Sequence, residues 1–165
     1  ASLKYDAWGE RPRGGQMTET VHYLLVVYVA QHQYPDRVPS GHVAAVTDRA
    51  PATTTEALQR LEDRGLVGYE PYDGVTLTPA GEEWAADAYE TFVVLSRFFA
   101  DVLEIENNER EALEAVGPVS PDVSERIASM LLSEVTVDPT DPPSILTRGS
   151  NASRPGSGDS GFDGS

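Results

Sequence analysis

The first strongly apolar part of the chain covers residues 21–30, where His22 is the one polar side chain apart from the tyrosine hydroxyls. Because the apolar positions are continuous, their spacing alone does not distinguish a helix from a strand. The length of the surrounding segment, residues 18–33, and the presence of Thr18 or Thr20 as an N-cap favour a helix. We therefore predict a first helix over residues 18–33, ended by the Tyr-Pro-Asp sequence that follows.

Two shorter helices are predicted next. Pro39 stands just before residues 40–48, which we expect to form a helix with two valines facing inward. An Ala-Pro pair then breaks the chain, and a third helix is expected over residues 52–64. Its apolar stripe consists of Ala57, Leu58 and Leu61. Gly65 suits the left-handed position that follows the last turn of a helix.

A β-hairpin is predicted directly after the third helix, over residues 69–78. Asp73-Gly74 in its middle is a strong signal for a two-residue turn. A helix followed by a hairpin is the order in which a winged helix-turn-helix presents its recognition helix and its wing to duplex DNA. The third helix and the hairpin therefore point to DNA binding.

Thr78-Pro79 opens a long helix, because threonine is a good N-cap and proline is favoured at the first helical position. This helix can extend to Glu104 and is apolar on more than one face. Two further helices are predicted over residues 108–116 and 120–133. From residue 136 onward Pro, Gly, Ser and Asp dominate, so this segment buries too little apolar surface to order itself.

The fold class we predict is mainly α with a small β-hairpin wing, as a winged helix-turn-helix followed by a helical domain. The expected order is a flexible N-terminal arm at 1–16, the winged helix-turn-helix at 17–78, the helical domain at 79–134 and a disordered C-terminal tail at 135–165. Arginines in the arm can reach phosphates or a groove.

The charge of the chain is strongly negative but uneven. The formal net charge is −15, from 27 acidic and 12 basic residues, and Lys4 is the one lysine. In an ordinary cell such an excess argues against DNA, because a polyanion repels an acidic protein. In residues 37–67, however, the arginines and the acids are equal in number, so the whole acidic excess lies outside the predicted helix-turn-helix.

High Asp and Glu content with almost no lysine resembles the proteins of extreme halophiles. In concentrated salt the Debye length is below about 3 Å, so the global charge hardly reaches a DNA ligand. The alternative is an acidic mesophilic protein that binds no nucleic acid. Loss of the fold in dilute buffer would support the halophile interpretation.

Composition also excludes several classes of protein. The chain has no cysteine, which removes disulfides, thiolate metal sites and cysteine nucleophiles. The apolar run at 21–30 is half the roughly twenty residues of a membrane span, and no secretory signal is recognisable. A glycine-rich phosphate loop, an HExxH pair and a nucleophile elbow are all missing. We therefore expect a cytoplasmic protein that is not an enzyme and has no membrane partner.

Four segments, in their order along the chain, resemble the DtxR/MntR family of metal-responsive repressors. They are residues 21–24 with Tyr28, residues 43–51, residues 58–67 and residues 69–81. The third and fourth segments also occur in MarR-like and other winged-helix regulators, so alone they indicate the fold and not the family. The first segment, with the aromatic helix that ends at residues 98–103, favours the DtxR/MntR family.

The resemblance implies a homodimer that joins through the helical domain at 79–134 and binds a palindromic operator in double-stranded DNA. It also implies that the recognition helix enters the major groove by its N-terminal turn. The residues expected to contact DNA are Arg49, Ala52, Thr53, Thr54, Thr55, Glu56, Gln59, Arg60, Arg64 and Tyr72. The family's C-terminal SH3-like domain is not expected, because residues 136–165 are too few and too polar.

The resemblance further implies Mn²⁺ or Fe²⁺ as a cofactor, but most ligand positions carry other residues. His22 falls on the ligand position of the first helix, whereas Leu113, Val116 and Gly117 fall near the later ones. In one interpretation the site is lost and its space is filled by Phe92, Phe98 and Phe99, so that DNA binding is constitutive or set by another signal. In the other, a shifted metal site uses His22, Glu111 and Glu114.

The function we expect is a DNA-binding transcriptional regulator. Two alternatives stay open from the sequence. One is a winged-helix module for protein–protein contact in transcription, with its wing and acidic face binding a protein. The other is a MarR-like sensor of a small apolar ligand held between the long helices.

Overall fold

The computed structural model describes residues 14–131, 135 and 137–148, with the backbone alone for residues 14–18. Its elements are α1 (Gly14–Ala30), α2 (Ser40–Thr47), α3 (Pro51–Asp63), β1 (Val67–Glu70), β2 (Gly74–Leu77), α4 (Pro79–Asp101), α5 (Asn108–Ala115), α6 (Pro121–Met130) and a 3-10 turn (Ser144–Leu146). The predicted class, mainly α with a small hairpin, is confirmed. Residues 1–13 of the predicted arm lie outside the described residues, and residues 14–16 belong to α1 instead.

The central position of α1 explains its continuous apolar run. Val21, Leu24 and Val27 are all fully buried, because α1 packs against α2, α3, β2, α4, α5 and the 3-10 turn. A helix surrounded by neighbours needs apolar side chains on all of its faces. It begins and ends a few residues earlier than predicted.

The helix-turn-helix is formed by α2 and α3. Asp48 ends α2 in the left-handed conformation, with φ 60°, and Pro51 begins α3 at the first helical position. The apolar face of α3, with Ala57, Leu58 and Leu61, is buried as predicted. Gly65 has φ +78°, which confirms the predicted left-handed residue after this helix.

The wing is an antiparallel pair of strands in which Val67 faces Leu77 and Glu70 faces Gly74. A bridge between Val38 and Val75 ties the pair to the segment before α2. The predicted two-residue turn at Asp73-Gly74 is wrong, because Gly74 already belongs to β2.

The wing turn is instead made by residues 71–73. The amide of Asp73 donates to the carbonyl of Glu70 at 3.0 Å, and Tyr72 has φ 72°. Proline at the second position and a positive φ at the third are the features of a type II turn. Pro71 therefore sets the turn, and Gly74 serves a different need: a Cβ there would overlap the carbonyl oxygen of Val38.

The start of α4 agrees with the predicted capping. The hydroxyl of Thr78 accepts from the Gly81 amide at 3.0 Å and donates to the carbonyl of Gly65 at 2.7 Å. One side chain thus caps α4 and holds it against the end of α3. Among the described residues, no helix is long and apolar enough to cross a membrane.

The chain after α6 returns to the core, so the predicted disordered tail is wrong for residues 137–148. Leu146 is fully buried and belongs to the same core as α1 and α4. The carboxylate of Glu109 accepts from the Ile145 amide at 3.2 Å, and the hydroxyl of Tyr89 donates to the carbonyl of Asp138 at 2.9 Å. Residues 149–165 lie outside the described residues.

Candidate nucleic-acid interface

The outer face of α3 carries most of the residues predicted to contact DNA. The side chains that it exposes are Ala52, Glu56, Gln59 and Arg60, and Thr53 and Thr55 are half-buried beside them. They share one face because they recur at helical spacing, opposite the stripe that packs into the core. The helix can therefore be laid into a groove without disturbing its own packing.

The prediction that Thr54 contacts DNA is wrong. It is 1% exposed, and its hydroxyl has no hydrogen-bond partner among the described residues. It stands three, four and seven residues before Ala57, Leu58 and Leu61, which places it on the buried face. Helical spacing identifies it as a core residue.

Some charged side chains around α3 form ion pairs or hydrogen bonds within the protein, and others do not. Arg49 forms an ion pair with Glu19 at 3.1 Å, and the carboxylate of Glu62 accepts from the Tyr69 amide at 3.3 Å. Arg60 is exposed, and within the described ranges it has no ion-pair partner. Arg64 is also exposed but has an interaction of its own. Arg60 is therefore the arginine of this face that is available to a phosphate or a base.

The tip of the wing presents Tyr72. Its side chain is 105% exposed, because its left-handed backbone turns the residue away from the strands. Asp73 lies next to it and is also exposed. A ring of this kind can rest on a sugar-phosphate backbone, whereas the carboxylate would be repelled by it.

Sequence reasoning missed the segment that fastens the wing. Val38 is fully buried, and it exchanges two backbone hydrogen bonds of 2.9 Å with Val75. A β-branched residue directly before Pro39 favours an extended backbone, and this was the available signal. The segment fixes the position of the wing relative to α2.

The proposed shifted metal site is not assembled. Glu111 and Glu114 lie exposed on α5. The cavity that His22 lines contains Glu109 and Arg110 and neither of these two residues. The part of the chain that the structure describes contains no group of three His, Cys, Asp or Glu residues able to hold a metal ion. The prediction that His22, Glu111 and Glu114 converge on one ion is therefore wrong.

The surroundings of His22 do not fit a cation. The pKa of His22 is lowered to about 4, chiefly by burial and also by the positive charges of Arg110 and Arg49, while a hydrogen bond with the Ile145 backbone raises it in part. A metal ion also requires carboxylates that converge on it. Asp48, Glu106 and Glu109 line the same cavity, but among the described residues they do not form a group with His22 that could hold an ion.

Phe92, Phe98 and Phe99, which were predicted to fill the space of a lost metal site, are buried to different degrees. Phe92 is fully buried, together with Leu113 and the nearly buried Val116. Phe99 packs at the edge of this core, and Phe98 is half-buried with its ring centroid 6.1 Å from that of Phe99. Apolar packing thus occupies positions where the family resemblance implies metal ligands.

Acidification from about pH 7.5 to about pH 5 is expected to reduce the free energy of unfolding by about 2 kcal/mol through His22. The folded pKa of about 4 lies below the ordinary value of 6.5, so the unfolded chain takes up the proton first. This contribution is complete above about pH 6.5 and is lost as the pH falls toward 4. Chemical unfolding in concentrated KCl measures it. His22→Gln is the control, and equal pH slopes for both proteins would contradict the assignment.

Comparisons with known proteins agree with this geometry. Residues 16–75 match the family described as "Iron dependent repressor, N-terminal DNA binding domain". An uncharacterized HTH-type transcriptional regulator of Methanocaldococcus jannaschii is 25% identical over 107 residues, which cover 64% of this chain and 86% of that protein.

Two solved structures are similar in fold. The manganese regulator SloR aligns with a TM-score of 0.59 at 20% identity, over 67% of this chain and 52% of SloR, so the chain spans about half of that protein. A hypothetical protein from Sulfolobus solfataricus aligns with a TM-score of 0.50 at 17% identity, over 67% of this chain and 85% of its own. The predicted resemblance to the DtxR/MntR family is confirmed. Together these findings support a DtxR-like helix-turn-helix transcriptional regulator.

Proposed function

We propose, on the premise that residues 16–75 are of the iron-dependent repressor DNA-binding type, that this protein regulates transcription by binding double-stranded DNA through α3 and the wing. The observation that supports this most directly is the exposed face of α3, where Gln59 and Arg60 have no hydrogen-bond or ion-pair partner in the described part of the chain. A regulator of this kind acts where the DNA is, so we place it in the cytoplasm.

The contacts divide by chemistry. Gln59 and Arg60 reach base edges or the backbone, since a guanidinium can donate two hydrogen bonds to guanine and a side-chain amide can donate one to adenine and accept one from it. Thr53 and Thr55 bond phosphates near the helix N-terminus, and Glu56 accepts from cytosine. Arg49 and Arg64 lie at the ends of the helix, where phosphates pass, and Arg49 exchanges Glu19 for a phosphate.

The protein acts as a homodimer joined through α4–α6. Exposed apolar side chains lie along and after these helices, at Val102, Leu103, Val123 and Met130. Such side chains gain stability when a second copy covers them. A two-fold dimer binds two equivalent half-sites, so the operator is a palindrome.

DNA binding in this protein does not depend on Mn²⁺ or Fe²⁺. The support for this is local: the positive charges of Arg110 and Arg49 act on His22, and the described residues contain no group of three His, Cys, Asp or Glu side chains able to hold an ion. A metal requirement, with His22 as a ligand, is the competing proposal. Calorimetry with Mn²⁺ and Fe²⁺ on chelator-stripped protein tests it, and micromolar binding that His22→Ala abolishes would overturn metal independence.

Gel shift and footprinting in concentrated KCl, on fragments of the native promoter region, test the proposed function. Protection of two half-sites about one helical turn apart is the expected result. Addition of Mn²⁺, Fe²⁺ or a chelator should leave it unchanged. No retardation at any salt or metal concentration would favour the protein–protein module instead, and release by a small apolar compound would favour a MarR-like sensor.

Arg60→Ala is expected to weaken operator binding about tenfold or more, because one bidentate or phosphate contact contributes about 1–3 kcal/mol per half-site. Fluorescence anisotropy with a labelled operator in concentrated KCl measures the change. Gln33→Ala is the control, since Gln33 is exposed just after α1 and belongs to neither the proposed DNA surface nor the proposed dimer surface. Equal affinity of the two variants for the operator would contradict the placement of α3 in the DNA interface.

A further inference from the structure

A cavity of about 360 Å³ lies where the helix-turn-helix meets the helical part of the chain. Its wall is formed by His22 of α1, the end of α2, the start of α5 and the chain around the 3-10 turn. A volume of this size is at the lower end of the range for small-molecule sites. The cavity does not touch the exposed face of α3.

The charged side chains of the cavity are not equally available. Among the carboxylates, that of Glu109 already accepts from the Ile145 amide, and Asp48 has an interaction of its own. Glu106 is exposed at the rim. Arg110 and Arg148 line the cavity as well, and neither has an ion-pair partner in the described part of the chain.

Positive charges act on the inner wall of the cavity, and polar groups there lack hydrogen-bond partners among the described residues. Arg110 and Arg49 are the charges that act on His22. The Nε2 atom of His22 is buried and has no partner among the described residues, and the side chain of Asn107 makes no capping bond at the start of α5. A buried atom without a partner, such as this Nε2, is rare in folded proteins and calls for one. Asn107 is exposed, so its amide can be reached by a ligand from solvent.

We propose that this cavity binds a small anion of the carboxylate or phosphate type, held by Arg110 and Arg148 with the amide of Asn107 beside them. Guanidinium groups bind such anions through paired, charge-assisted hydrogen bonds. The anion neutralises two guanidiniums that have no ion-pair partner among the described residues.

The position of the cavity gives the anion a regulatory role, and this part rests on the proposed function. A ligand there touches α1 and the end of α2 on one side and α5 on the other. It therefore bridges the DNA-binding helices and the helical domain. An anion that favours one arrangement of these parts changes operator affinity by its differential binding to the two arrangements.

Calorimetric titration of DNA-free protein in concentrated KCl, with inorganic phosphate and with succinate, tests the site itself. Succinamide is the neutral control. We expect saturable millimolar binding of phosphate or succinate and none of succinamide. Preference for succinate identifies a carboxylate ligand, and preference for phosphate identifies a phosphate ligand.

Arg110→Gln should weaken the binding about tenfold, because it removes one charged hydrogen-bonding partner, whereas Arg126→Gln on α6 should leave it unchanged. Shifts of the Asn107 and Ile145 amide resonances should accompany binding. Equal weakening by both variants, or no saturable binding of either anion, overturns the proposal. Because no DNA is present, this result is independent of whether the protein binds an operator.

Discussion

Replacing Gly81 with alanine is expected to destabilise the protein by about 4 kcal/mol or more, since overpacking against a backbone is costly and offers no flexible neighbour to move. A Cβ at this position would overlap the carbonyl oxygen of Leu66 and lie 2.8 Å from its carbonyl carbon. The same carbonyl accepts from the Thr78 amide at 3.0 Å. Relief of the overlap would break the contact between the start of β1 and the start of α4.

Chemical unfolding of Gly81→Ala in concentrated KCl measures this effect. Gly41→Ala is a matched control, because Gly41 lies in α2 and an added Cβ there meets nothing within 4 Å. That change should raise stability by about 0.5–1 kcal/mol, as alanine favours a helix over glycine. Similar effects of the two substitutions would show that α4 does not approach Leu66 so closely.

The close approach at Gly81 bears on function as well as on stability. Thr78 and Gly81 join the end of the wing to the helix that carries the proposed dimer surface. The angle between the wing and α4 therefore depends on this contact. A dimer that must place two wings on one duplex requires the angle to be fixed.

Helix positions could be predicted because capping and turn residues act locally. Thr78-Pro79 began a helix and Gly65 ended one, as their intrinsic backbone preferences require. The wing turn was mispredicted because the local backbone preferences of this segment favour two different turns. Asp73-Gly74 favours a two-residue turn, but Pro71 favours a type II turn two residues earlier, and close packing of Gly74 on Val38 decided between them.

The return of the chain after α6 could not be predicted from composition. Residues 137–148 are rich in proline and polar side chains, and composition treats them as one average. The segment is held by one apolar pair, Ile145 and Leu146, which packs against α1 and α2, and by its hydrogen bonds with Glu109 and Tyr89. Whether such a pair is buried depends on a surface that only the folded helices create.

The candidate site was predictable to the extent that helical spacing decides exposure. Spacing separates Gln59 and Arg60 on the outer face from Thr54 on the inner face. It does not reveal which arginine is already paired, as Arg49 is with Glu19. It also did not place His22 beside Arg110, because these residues meet through the packing of α1 on α5.

Leu146→Ala is expected to cost about 3 kcal/mol, the usual effect of emptying a fully buried leucine position. Leu146 has no exposed surface and shares the core with α1, so the space left by the side chain would lie in the interior of the fold. Val137→Ala is the control from the same segment. Val137 is 39% exposed, and its truncation should cost less than about 1 kcal/mol.

The two substitutions separate an ordered segment from the disordered tail that composition predicts. Leu146 and Val137 lie nine positions apart in one proline-rich stretch, so a disordered segment would respond to neither change. A loss confined to Leu146→Ala, measured by chemical unfolding in concentrated KCl, would show that the 3-10 turn is part of the core. Since the same turn forms a wall of the cavity, its loosening should also weaken phosphate or succinate binding, which makes the turn the physical link between core stability and the proposed anion site.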